Sequence, residues 1–290
     1  MNYLVVGGNA VLGQQSIAAI RKGDSKSHII GTTSSQGEVS GADITIAEIN
    51  LQDPASIQRV IQAIEPGTLE AIVYVPARGP VGKPVQYANK SEYLESISFS
   101  VIPMLRLTGA LSPRIALWFS GFMWLEPLMM LYGPMIYTKI TMEQITLKHP
   151  DRFKCVRYGM FVSNSARGIS ILSQKAITSG QYPEQESYRK GWKESGKKFK
   201  DYFASINGAE EKRLLGPLAK SSAPYRPLES EDLQTGVSKA LFSETAPILN
   251  VVGDWYWEDD SLPEWPAEVE AKMDLIDETL DRYLLNPQLD

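Results

Sequence analysis

The chain has 290 residues, of which 43% are hydrophobic and 22% charged, the composition of a globular protein with ample apolar side chains for a sizeable core. A formal net charge of −5 argues against a nucleic-acid surface as the default reading. One cysteine, Cys155, excludes an internal disulfide framework and fits a reducing compartment, and with only two histidines, His28 and His149, it speaks against a structural zinc site. No metal site is expected.

The chain opens on "YLVVGG" with no basic segment ahead of an apolar one, so no signal peptide is expected. "YLVVGGNAVLGQQSI" reads as strand, glycine turn and helix. Gly7, Gly8 and Gly13 fit a dinucleotide fingerprint, with Ala10 where a middle glycine often stands and Asn9 and Leu12 completing the turn. Gly7 permits the tight turn, Gly13 allows helix and strand to pack closely, and backbone N–H groups at the helix start would face a pyrophosphate. The second strand, "HIIGTT", ends on Thr32, Thr33 and Ser34. An acidic residue there would bind a ribose 2′-OH and repel a 2′-phosphate. Its absence permits NADPH, and NADP(H) is favoured over NAD(H). A third run, "ITIAEINL", places Asn50 and Leu51 at its end, where an adenine contact or a strand-end cap is expected. Asp53 and Pro54 then form an N-cap and first-turn proline. "LEAIVYV" is the fourth strand. Ala77, Arg78 and Gly79 after it form a turn beside the cofactor, with Arg78 either a ligand or a solvated loop residue.

One long helix is predicted over residues 91–111, a fifth strand at "RIALWFS", a helix at "IYTKITMEQITLKH" and a sixth strand at "FKCVRYGMF". The most apolar window, residues 115–135, is interrupted by Glu126, two prolines and two glycines, and reads as core rather than a membrane span. Residues 166–227 hold no clear strand. Within them, "SYRKGWKESGKKFKDYFASI" places Tyr188, Trp192, Phe199 and Phe203 at helical spacing, with Arg189, Lys190, Lys193, Lys197, Lys198 and Lys200 on a basic face. That is either a packed amphipathic helix or a lid whose aromatics line a substrate pocket. A seventh strand, "ILNVVG", follows. An acidic, Trp-rich stretch and a terminal amphipathic helix over residues 267–285 close the chain. The alternation predicts an α/β, doubly wound Rossmann sheet of about seven parallel strands in a single domain over residues 1–290. Residues 166–227 would form an inserted helical substrate lobe before the last helix–strand unit, and residues 254–290 a C-terminal extension.

Over residues 1–165 and 225–253 this pattern resembles the short-chain dehydrogenase/reductase family. That family pairs a serine after the fifth strand with Tyr-x-x-x-Lys on the next helix. Ser120 in "WFSGF" matches the serine and Lys139 the lysine, but Met135 stands where the tyrosine belongs. Tyr132-Gly-Pro-Met-Ile-Tyr-Thr-Lys139 has instead the spacing of the enoyl-acyl-carrier-protein reductases, a divergent branch. Seven residues make nearly two helical turns and return to one face. Tyr137, two residues from Lys139, points elsewhere and is expected to pack. "GMFVS" resembles that branch's Gly-Pro-Ile-x-Thr segment, which puts Ser163 near the nicotinamide and pyrophosphate. Phe122, where the branch often has a second tyrosine, and the "GGNAVLG" turn depart from its pattern.

The resemblance implies a cytoplasmic, NADP(H)-dependent reductase, a homodimer or homotetramer, that adds hydride to an activated C=C beside a carbonyl. Tyr132 would donate to the carbonyl oxygen, Lys139 would hold the nicotinamide ribose, and Ser120 would orient substrate or nicotinamide. The substrate would be a small apolar carbonyl or enone, free or linked to a carrier protein or CoA, with neither nucleic acid nor membrane as a partner. Two alternatives stay open: a carbonyl reductase with rearranged acid catalysis, and a repurposed nucleotide-binding regulator or cyclase/isomerase.

Overall fold

A computed structural model describes residues 1–274 and 276. Eight strands form one sheet in the order β3-β2-β1-β4-β5-β6-β7-β8. They are β1 (Asn2–Val6), β2 (His28–Thr32), β3 (Ile44–Ile46), β4 (Leu69–Tyr74), β5 (Ile115–Gly121), β6 (Phe153–Tyr158), β7 (Ile248–Val252) and β8 (Trp255–Asp259). The first seven pair in parallel, and β8 returns antiparallel on β7. The helices are α1 (Val11–Gly23), α2 (Pro54–Gln62), α3 (Lys90–Ser100), α4 (Ile102–Leu111), α5 (Glu126–Met129), α6 (Pro134–Lys148), α7 (Asn164–Ser179), α8 (Glu186–Ser195), α9 (Phe199–Ala219), α10 (Ser230–Phe242) and α11 (Ala267–Glu270).

Strand alternation sends side chains to two cores. Leu4, Val6, Ile72, Tyr74 and Trp118 pack with α2, α3, α4 and α6 on one face. Tyr3, Val5, Val73, Leu117 and Phe119 pack with α1 and α10 on the other. Strand order reverses beside β1, and ligands of such sheets bind at the carboxyl ends of the strands near that switch.

Five details differ from the sequence expectations. Trp255–Asp259 forms an eighth strand, its Trp255 buried and Asp259 paired inward. The third strand ends at Ile46, and residues 47–51 are loop. The helix expected over 91–111 breaks at Val101 (φ −121°, ψ −54°). Pro103 has no N–H to give and crowds the Phe99 carbonyl, which accepts from the Tyr74 hydroxyl instead. The 187–206 stretch is divided at Gly196, whose φ of +63° ends α8 in a left-handed cap. Of the terminal helix expected over 267–285, Ala267–Glu270 is helical, and the part beyond residue 276 lies outside the described residues.

Candidate active site

A cleft of about 970 Å³ opens along the carboxyl ends of the parallel strands. At its phosphate end β1 runs into Gly7, whose φ of +77° most L residues avoid. A Cβ on Gly13 would stand 2.4 Å from the Gly7 carbonyl oxygen, and one on Gly8 2.4 Å from Val39 Cγ1. Gly8 and Gly13 therefore shape the cleft from behind, while Gly7, Asn9, Ala10 and Leu12 line it. The first turn of α1 has no capping side chain and no acidic residue. The N–H groups of Val11, Leu12 and Gly13 have no acceptor among the described residues. Uncapped donors at the positive end of a thirteen-residue helix suit an anion, and these residues fit a dinucleotide pyrophosphate.

The adenosine end differs from its sequence reading in what its side chains are bonded to. Thr32 and Thr33 line the cleft, but both hydroxyls are engaged. Thr32 Oγ1 accepts from Gly7 N at 3.2 Å, and Thr33 Oγ1 accepts from Asn9 Nδ2 at 3.2 Å and pairs with Ser35 Oγ at 3.0 Å. They brace the glycine turn against β2, leaving Ser34 exposed beside them. Asn50 caps its own loop, accepting from Gln52 N at 3.1 Å, and still lines the cleft with Leu51 and Ala77. Arg78 lines it as well. Its main chain is tied to α3 through Ser96 and Ser100. Glu48, which sequence reasoning passed over, also lines this end. It holds a left-handed φ of +56°, and its Oε1 accepts from Gln36 Nε2 at 2.9 Å.

At the other end β5, the turn before α6 and α6 itself bring Ser120, Tyr132 and Lys139 to the same cleft. Tyr132 precedes α6 rather than lying on it. Gly133 (φ +43°, ψ −123°) turns the chain into Pro134 at the helix start, and Tyr132 bridges to Lys83. The helical-face argument for the seven-residue spacing therefore stops at the turn. Tyr132 and Lys139 share a cleft through the turn, not through helical periodicity. The Tyr132 hydroxyl has no hydrogen-bond partner among the described residues, and burial pushes its pKa up to about 12. Lys139 Nζ donates to the Phe119 carbonyl at 2.7 Å, and burial draws its pKa down to about 8 against the opposing pull of Cys155 and Glu143. Met135, at the ordinary tyrosine position, is buried and accepts from Ser96 Oγ through its sulfur. Tyr137 faces away: it is buried and donates to the Val269 carbonyl at 3.1 Å. Ser120 Oγ donates to Glu143 Oε1 at 2.5 Å.

The helical lobe closes the cleft with Ala166, Ile169, Asn207 and Glu211. Tyr188, Trp192, Phe199 and Phe203 do not line it. Trp192 stands edge-on to Phe199, Phe199 stacks on Phe203, and all four pack on the main core, so the aromatic lid is replaced by an amphipathic helix pair. Glu211, 2% exposed, accepts from Met160 N (2.7 Å), Tyr225 Oη (2.8 Å) and Asn207 Nδ2 (3.1 Å), and burial raises its pKa. It fastens α9 to the loop after β6. Ser163 lines the cleft as the N-cap of α7, its Oγ accepting from Ala166 N at 3.0 Å. The sequence signal for the Asn207–Glu211 pair was two polar residues four apart on a helix that buries Phe199, Phe203 and Leu215.

No family model and no curated protein sequence matches this chain. Among solved structures it is similar to a short chain dehydrogenase family protein from Francisella tularensis (TM-score 0.53, 14% identity, 83% of this chain and 90% of that one). It is also similar to serine dehydrogenase from Escherichia coli (TM-score 0.45, 14% identity, 63% and 93%) and to YwfH, an NADPH dependent reductase involved in bacilysin biosynthesis (TM-score 0.47, 12% identity, 62% and 83%). The first likeness shows the fold: this chain has the Rossmann-type α/β architecture of a short chain dehydrogenase structure.

Proposed function

We propose that this chain is a nicotinamide-dependent reductase of the short-chain dehydrogenase type, acting on an activated C=C beside a carbonyl. One observation carries the reading: a single cleft holds the uncapped α1 N-terminus, the Lys139 ammonium and Tyr132, whose hydroxyl has no partner among the described residues. Bound there, the dinucleotide would supply the hydride. The Gly7–Gly13 turn and α1 would hold its pyrophosphate, and Lys139 would lie beside the ribose. Tyr132 is protonated at neutral pH, and burial raises its pKa further, so it donates to the substrate oxygen as negative charge builds there. The Lys139 cation in the same cleft would lower the cost of that charge. Met123, Leu128 and Met135 give the substrate apolar walls.

For cofactor choice we propose NADP(H) with a small margin over NAD(H). Ser34 offers a 2′-phosphate a donor, but Glu48 at the same end opposes one. The test is NADPH oxidation by the full chain, followed by absorbance across enones, enoyl thioesters and ketones. A second reading, nucleotide binding without turnover, is favoured by Met135 at the usual tyrosine position. Tight NADPH binding with no oxidation across the panel selects it.

A further inference from the structure

Ser120 lines the cleft, yet its proton is engaged from behind. Its hydroxyl donates to Glu143 Oε1 at 2.5 Å, and its only other acceptor among the described residues, the Gly121 carbonyl, is at 3.4 Å. Glu143 has no exposed surface, and its second oxygen accepts from the buried Arg157 guanidinium at 2.6 Å. A hydrogen bond to an ionised carboxylate is about twice as strong as one between neutral groups. Turning the Ser120 proton toward a substrate carbonyl would also strip a buried carboxylate oxygen of its partner. What Ser120 offers the cleft is its lone pairs.

We propose that Glu143 is a positioning residue that holds Ser120 as a hydrogen-bond acceptor, so that the cleft takes a carbonyl substrate bearing a hydroxyl or N–H donor. This rests on the reading of the cleft as a substrate site. Asn207 supports it independently. It lines the same cleft, is 1% exposed, gives its Nδ2 to Glu211, and leaves its Oδ1 without a partner among the described residues. Two acceptors with no donor among the described residues are complementary to a ligand that donates. The substrate's body would meet the apolar walls, its carbonyl Tyr132, and its hydroxyl or N–H Ser120. A glutamine at position 143 would invert the arrangement. Its amide oxygen would stay with Arg157 and its NH2 would face Ser120, freeing the serine proton for the cleft.

The test has two arms. Neutron diffraction from deuterium-exchanged crystals of the full chain should place the Ser120 deuteron on the line to an ionised Glu143. A deuteron turned into the cleft, or carried by Glu143, overturns the proposal. In the second arm, NMR binding to the NADPH-loaded chain compares 2-hydroxycyclohexanone with 2-methoxycyclohexanone. The hydroxy probe should bind about fivefold better, the scale of one hydrogen bond. Ser120→Ala and Glu143→Gln should each erase the difference. Equal binding of the two probes to the wild type, including binding of neither, overturns the proposal. The deuteron position is read without turnover, so a failure of the reductase reading is seen separately, as NADPH that is not oxidised.

Discussion

Replacing Arg157 by methionine should be among the most damaging single changes in the sheet. Arg157 sits on β6 with no exposed surface, bonded to Glu143 and Asp259 at 2.6 Å each and to Asn250 Oδ1 at 3.3 Å. Its guanidinium lies 5.1 Å from the Trp124 ring centroid. Methionine fills much of the volume but leaves the Glu143 carboxylate buried, with Ser120 its one remaining hydrogen-bond donor among the described residues. Asp259, 31% exposed, keeps part of its hydration, so the cost falls on Glu143. Breaking one side of a buried pair costs about 3–5 kcal/mol. At about 2–4 °C per kcal/mol for chains approaching this size, Tm should fall by roughly 6–20 °C. Thermal unfolding followed by circular dichroism reads this. Glu143→Leu combined with Arg157→Met removes both charges and should recover more than half of the lost stability. A single variant within about 1 kcal/mol of wild type, or a double variant no better than the single, would refute the reasoning.

Three further outcomes follow from the cleft. Lys139 is drawn down to about 8 by burial, so reductase kcat/KM should be flat below that value and fall as pH rises through it; a rise instead would mean that the neutral amine is the working form. The same shift makes the folded chain bind fewer protons than the unfolded one between about pH 8 and the ordinary lysine range, so stability from this group should increase with pH across that window, and Lys139→Met should abolish that increase in denaturant titrations. Glu48→Gln should shift the NADPH:NADH affinity ratio toward NADPH by about tenfold, near 1.4 kcal/mol; an unchanged ratio in fluorescence titration would mean that the carboxylate stays with Gln36 and away from the 2′ position.

Much of the fold was legible because parallel strands buried on both faces read as short apolar runs between helical patterns. α1 begins and ends where the glycine turn and its periodicity place it. The eighth strand was obscured by composition: "WYWED" reads as an acidic tail, and its burial depends on pairing with β7 and on Arg157 reaching Asp259. At the site, the glycine turn, Ser120, Tyr132 and Lys139 could be found because a local spacing marks each. Glu48, Asn207 and Glu211 could not be found that way. They come to the cleft from a loop and from a helix far along the chain, and no short motif links them to it. The Glu143–Arg157 pair did leave a trace, two charged residues among the apolar neighbours of "ITMEQI" and "KCVRYG". A sequence does not say which buried charges meet. The bonding of Thr32, Thr33 and Ser120 was hidden for a related reason: a hydroxyl's available role depends on which neighbour already holds it.

The central claim is that Tyr132, seven residues before Lys139, donates to the substrate oxygen. Phenylalanine variants of Tyr132 and Tyr137 isolate each hydroxyl at nearly constant volume. Tyr132→Phe should keep the fold and NADPH affinity while kcat/KM for an enone falls about 10²-fold or more, near 3 kcal/mol, the scale of losing one oxyanion donor. Tyr137→Phe should leave kcat/KM unchanged at a stability cost of about 1 kcal/mol from its lost bond to Val269. Full activity in Tyr132→Phe, or loss of activity confined to Tyr137→Phe, would contradict the account.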